Sequence, residues 1–124
     1  MQSVLLVEDN PRTREALLKM LSTMAQQVEV AHDGLGGLNL ARKHQFSMVI
    51  TDHKMPLMDG LTLIRNLREM DNYADTPLVL LTTDELQSVQ DRAQRVGADQ
   101  VLAKPLEQDV LRNILTHLQQ RDVA

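Results

Sequence analysis

The chain has 124 residues, 43% hydrophobic and 24% charged, with 17 acidic against 13 basic side chains for a formal charge of -4; that is one domain, 1–124, large enough to fold without staples. It has no cysteine, which excludes disulfides, thiolate nucleophiles and sulfur-ligated metals, and its short apolar runs and its N-terminus predict neither a membrane span nor a secretory signal, so a cytoplasmic location is expected. Phe46 and Tyr73 are all the Phe, Trp and Tyr it has, and no Lys/Arg stripe runs through it, so direct nucleic-acid binding is not expected and any role in transcription would pass through a partner.

In chain order, VLLV at 4–7 reads as a strand. Asn10-Pro11 then reads as cap and first residue of a helix over 11–25, whose Leu17, Met20, Leu21 and Met24 recur at helical spacing. A second strand, 28–31, leads to a helix over 34–45 that is weakened by Gly36 and Gly37, each costing about 1 kcal/mol relative to Ala. MVIT at 48–51 is a third strand, and Asp59-Gly60 opens a helix over 61–71 with Leu63, Ile64, Leu67 and Met70 on its inner face. LVLLT at 78–82 is a fourth, followed by a helix carrying Leu86, Val89, Ala93 and Val96 and ended by Gly97. VLA at 101–103 is the fifth; Leu111, Ile114, Leu115 and Leu118 mark the last helix, and the final QQRDVA reads as a frayed end. Five strands joined by crossovers of about a dozen residues require a parallel sheet with helices on both faces, a doubly wound α/β fold.

In such sheets ligands bind at the carboxyl ends of the strands. There the sequence puts Glu8 and Asp9, then Asp52, then Thr82 and Thr83, then Lys104 and Pro105. Two carboxylates about 4 Å apart repel by about 4 kcal/mol at an effective dielectric near 20, and one lysine cannot neutralise three acids. Hard oxygen donors favour Mg²⁺ or a similar ion that keeps positions open for a substrate oxygen. With that ion and Lys104 the rim would attract phosphate, and one carboxylate could accept a phosphoryl group.

The chain resembles the receiver domain of two-component response regulators over 1–120. The residues that carry the resemblance are Glu8-Asp9 after VLLV, Asp52 followed by HKMPLMDG, Thr82 closing LVLLT, and Lys104-Pro105 after GADQVLA. The resemblance implies a flavodoxin-like sheet in the order 2-1-3-4-5 with five helices. It implies that Asp52 accepts a phosphoryl group from a phosphohistidine on a sensor histidine kinase or histidine phosphotransfer domain. Mg²⁺ or Mn²⁺ would be held by Glu8, Asp9, Asp52 and the backbone carbonyl of Lys54. Lys104 would pair with Asp52, Thr82 would donate its hydroxyl to the phosphoryl group, and the bond before Pro105 would be cis. The domain would be no enzyme beyond its own phosphorylation and dephosphorylation. It would switch the surface of the fourth helix, fifth strand and fifth helix towards a downstream protein or effector domain, as a monomer or a phosphorylation-dependent dimer.

Some residues have plainer roles. Asp59 is expected to cap the third helix and Asp84 the fourth; the methionines and Phe46 read as core filler. His32, His44, His53 and His117 lack metal-ligand spacing, and His53 is expected to project into the loop. The family's usual aromatic or His three residues before the lysine is Val101 here, and Thr83 stands where Ala or Gly is usual. Lys54 and Asp84 flank the site with opposite charges and are expected to pair and shield an acyl phosphate from water. A flavin-binding relative would need a Gly/Ser/Thr-rich loop where Glu8-Asp9-Asn10-Pro11 stands. A phosphatase using Asp9 would need a second Asp at the position of Pro11, and a degenerate receiver would not retain all the site residues.

Overall fold

Each apolar run forms a strand and each periodic stretch a helix. The computed structural model describes residues 3–25 and 27–121, with side chains through His117. In it β1 (Ser3–Val7), β2 (Gln27–Ala31), β3 (Met48–Asp52), β4 (Leu78–Thr82) and β5 (Gln100–Ala103) alternate with five helices. These are α1 (Pro11–Ser22), α2 (Gly34–Lys43), α3 (Gly60–Arg68), α4 (Leu86–Val96) and α5 (Gln108–Arg121). The strands are parallel, in the order β2-β1-β3-β4-β5.

Strand alternation sorts the core into two halves. Val4, Leu6, Met48, Ile50, Val79 and Leu81 pack with Leu17 and Leu21 of α1 and Leu111 and Leu115 of α5. Leu5, Val7, Val49, Leu78 and Leu80 pack with residues of α2, α3 and α4, among them Leu38, Leu63, Ile64 and Val89. With both faces covered, β3 and β4 are buried along their whole length, which is why they read as continuous apolar runs. Truncating a fully buried residue such as Leu80 to Ala costs about 2–5 kcal/mol.

The caps set where helices begin. Asn10 accepts from the backbone N–H of Arg12 and Thr13 at 3.0 and 3.1 Å, and Asp59 from that of Thr62 at 2.8 Å. Gly37 is needed where α2 crosses β1, because a Cβ there would stand 2.7 Å from Cγ2 of Val7; close approach offsets the glycine's poor helix propensity.

Several ends differ from expectation. α1 stops at Ser22 rather than 25, its last turn closed by the hydroxyls of Ser22 and Thr23, which donate to the carbonyls of Leu18 and Met20. α2 stops at Lys43 rather than 45: His44 is extended, and Tyr73 donates to its carbonyl at 2.6 Å. α3 starts at Gly60 and ends at Arg68, and Asp71 belongs to a separate 3-10 turn, Asp71–Tyr73. Glu85, not Asp84, occupies the cap position of α4, and it makes no side-chain cap hydrogen bond. Leu86 is 38% exposed at the start of that helix, and the buried face is Val89 and Ala93. Of the described methionines, Met48 and Met55 are buried, whereas Met20, Met24, Met58 and Met70 are partly buried at the core margins. Phe46 is buried. α5 runs through Arg121, so of the end expected to fray only 122–124 lie beyond it; they and the Leu118 side chain fall outside the described residues.

Candidate functional site

The carboxyl ends of β1, β3 and β5 bring three acids and one ammonium together. Lys104, just past β5, places Nζ 2.9 Å from Oε1 of Glu8 and 2.9 Å from Oδ1 of Asp52. Glu8, Asp9 and Asp52 each offer a carboxylate oxygen, and these atoms lie within 4.8 Å of one another. Glu8 is fully buried and Asp52 nearly so, while Asp9 is exposed. The Lys104–Pro105 peptide bond is cis.

Backbone contacts hold these groups. Oε2 of Glu8 accepts from the N–H of Asn10 at 3.1 Å, which ties the acid to the α1 cap. Oδ1 of Asp52 accepts from the N–H of His53 at 3.0 Å. The N–H of Gly60 donates to the carbonyl of His53 at 2.7 Å, and a Cβ on Gly60 would collide with the carbonyl of Asp52. Only glycine therefore lets α3 start this close to β3.

Burial raises the pKa of Glu8, outweighing its hydrogen bond from Lys104. The same desolvation pulls Lys104 down, but its bonds to Glu8 and Asp52 outweigh it and hold the ammonium above its ordinary value. The cluster still holds three acids to one cation. The hydrogen bonds to Asp52 fall on Oδ1, leaving Oδ2 without a protein partner among the described residues. Excess carboxylate, hard oxygen donors and a free lone-pair-bearing oxygen suit a divalent cation such as Mg²⁺. A cavity of about 620 Å³ opens beside them, lined at its polar end by Asp9, Asp52, Thr83 and Lys104 and at its apolar end by Leu17, Met20 and Leu106.

A second polar group lies next to the first. Thr82, 1% exposed at the end of β4, places Oγ1 2.8 Å from Nδ1 of His53 and accepts from the N–H of Asp84 at 3.0 Å. His53 does not project into the loop: it is 4% exposed, and burial lowers its pKa. The physical reason is strand alternation, which turns the residue after Asp52 to the opposite face; that signal was available in the sequence. Lys54 and Asp84 pair at 2.8 Å, and the hydrogen bond from Lys54 lowers the pKa of Asp84. Thr83 is exposed, and Val101 is half-buried against the α2–α4 half of the core.

Comparison with known proteins agrees with this geometry. Residues 4–116 match the family model described as the response regulator receiver domain. The chain belongs to that family. As a receiver domain it is 32% identical over 113 residues to part of the sensor histidine kinase RcsC of Escherichia coli, covering 91% of this chain and 12% of that kinase. It is 29% identical over 120 residues to the probable transcriptional regulator ycf29 of Porphyra purpurea, covering 97% of this chain and 57% of that protein. Thus the receiver spans only part of these relatives. The chemotaxis protein CheY4 of Vibrio cholerae superposes with a TM-score of 0.89 at 31% identity, over 95% of this chain and 98% of that one. The receiver domain of sensor histidine kinase PA1611 from Pseudomonas aeruginosa superposes at 0.87 with 29% identity, over 94% and 96%, and holds a magnesium ion in its active site cleft. The receiver is thereby a two-component signalling domain, homologous to receivers of histidine kinases. None of its described helices is long and apolar enough to cross a membrane.

Proposed function

We propose that this receiver accepts a phosphoryl group on Asp52 from a phosphohistidine of a sensor histidine kinase or histidine phosphotransfer domain. The observation that carries the reading is Lys104 bound to Asp52 inside a cluster of three carboxylates at the sheet's carboxyl rim. An Asp52 oxygen forms a bond to phosphorus as the P–N bond of the donor breaks; the donor ring nitrogen keeps the electron pair and takes up a proton. Asp52 is left as an acyl phosphate. Transfer of this kind depends on positioning and charge neutralisation more than on covalent help. Lys104 fixes one carboxylate oxygen and is placed to follow negative charge onto the phosphoryl group. Glu8 in turn holds Lys104.

Mg²⁺, or Mn²⁺, would be held by Glu8, Asp9, Asp52 and the backbone carbonyl of Lys54, and would neutralise charge on the phosphoryl oxygens. The magnesium in the PA1611 receiver supports that assignment. Thr82 donates its hydroxyl to a phosphoryl oxygen once the group is in place, and the surface of α4, β5 and α5 changes for a downstream partner. The Lys54–Asp84 pair screens the acyl phosphate from water. The domain is a cytoplasmic signalling module that catalyses only its own phosphorylation and dephosphorylation.

The test is incubation with Mg²⁺ and a small acyl phosphate donor. The expected result is one phosphoryl group on Asp52, stable to acid and released by hydroxylamine. Label on Asp9, or no label, overturns the reading.

A further inference from the structure

His53 and Thr82 are both polar, both buried and bound to each other, and the phosphoacceptor chemistry as described leaves His53 without a task. Asp52 pairs in register with Leu81, and both line the cavity at the acid cluster. Thr82 follows Leu81 and His53 follows Asp52, so alternation sends both to the other face, shared with Leu78 and Leu80. The cavity lining takes in Asp52, Leu81 and Thr83 but neither Thr82 nor His53. The Thr82 hydroxyl is therefore turned away from the cavity at the acid cluster. Its oxygen has two partners, Nδ1 of His53 at 2.8 Å and the N–H of Asp84 at 3.0 Å. Val101, nearby in β5, has no polar side-chain atom with which to hold it.

We propose that His53 is a positioning residue that restrains the Thr82 hydroxyl away from Asp52, so that phosphorylation has to break the His53–Thr82 bond. The inference rests on the phosphoacceptor reading above. It does not depend on which of the two atoms carries the shared proton, because either arrangement fixes the oxygen. When Thr82 leaves His53 it also leaves the N–H of Asp84, the residue that pairs with Lys54. The exchange thus releases the segment between β4 and α4, which follows Thr82 in the chain and leads into α4.

The experiment measures the affinity of the 124-residue chain for beryllofluoride in saturating Mg²⁺, by titrating amide signals in NMR spectra. His53→Leu and His53→Met, two apolar replacements of different shape, remove the bond. Each should bind the phosphoryl mimic about fivefold more tightly, the equilibrium worth of one net hydrogen bond. His53→Asn, whose side-chain amide reaches the place of Nδ1, should bind as the wild type does. On a Thr82→Ala background the apolar replacements should have no effect on affinity. Unchanged or weaker binding by both apolar variants overturns the inference, and so does an equal gain on the Thr82→Ala background, which would mark a packing effect. Wild-type protein that does not bind beryllofluoride at all instead overturns the phosphoacceptor reading, and this inference with it.

Discussion

At the amino edge of the sheet Arg68 donates to the carbonyls of Gly97, Tyr73 and Thr76 and to Oδ2 of Asp99 at 2.7 Å, and that same carboxylate oxygen accepts from the N–H of Leu78. At the carboxyl edge Lys104 faces both Glu8 and Asp52 with Asp9 close by. Both clusters are built around one largely buried cation between strand ends, yet their charge balance differs. Arg68 meets one carboxylate and several carbonyls, so its fork of donors is satisfied within the fold. Lys104 meets two carboxylates with a third close by, and among the described residues no second cation pairs with them. A matched cluster fastens the ends of β4 and β5, whereas the mismatched one is where we propose that a cation and a phosphoryl group bind.

The sharpest way to break this contrast is Asp52→Asn, which should abolish phosphorylation by a small acyl phosphate, read as complete loss of hydroxylamine-labile label. Lys104→Met should slow labelling by about 100-fold, the scale of removing one aimed electrostatic group from a reacting centre, measured from single-turnover rates. At the other edge, Arg68→Met should destabilise the fold by about 3 kcal/mol by breaking the partly buried pair with Asp99 and the hydrogen bonds to Gly97, Tyr73 and Thr76, measured by urea unfolding, with the labelling rate per folded molecule unchanged. If Arg68→Met slowed labelling as much as Lys104→Met, the division into a structural edge and a reactive edge would fail. Mg²⁺ at about 100 times its dissociation constant should add about 2.7 kcal/mol of stability, seen as a rise in melting temperature that Asp9→Asn diminishes and Arg68→Met does not. The smallest effect should come from Asp84→Ala: loss of the partner of Lys54 should speed hydrolysis of the acyl phosphate about threefold, in keeping with a pair at the protein surface. An unchanged hydrolysis rate would remove the shielding role.

Much of this was legible before the structure. The order of strands and helices followed from apolar runs and helical periods, and Asn10 and Asp59 announced their helices because a cap acts on backbone groups two or three residues away. The helix ends at Lys43 and Arg68 were less legible, since they depend on partners remote in sequence, such as Tyr73 drawing the carbonyl of His44 out of α2 and Gly97 and Asp99 binding the Arg68 side chain. For Asp84 both a cap of α4 and a pair with Lys54 were expected from the sequence; the pair forms, whereas Glu85 takes the cap position. Leu86 fits the apolar period of α4 and yet is part-exposed, because period says which residues share a face and not how far the sheet extends beneath it.

The residues of the acid cluster could be placed from one chain of local reasoning: strands are short, their carboxyl ends share a rim, and the acids and the lysine fall at those ends. Periodicity and capping operate between near neighbours, so sequence carries them. Strand alternation already says which face His53 turns to; that it takes hold of Thr82 29 residues away came from packing in three dimensions. The N–H of His53 carries the ladder one residue further, donating to the carbonyl of Leu81 at 2.8 Å, and that register of β3 on β4, which no local pattern states, selects Thr82 as its partner.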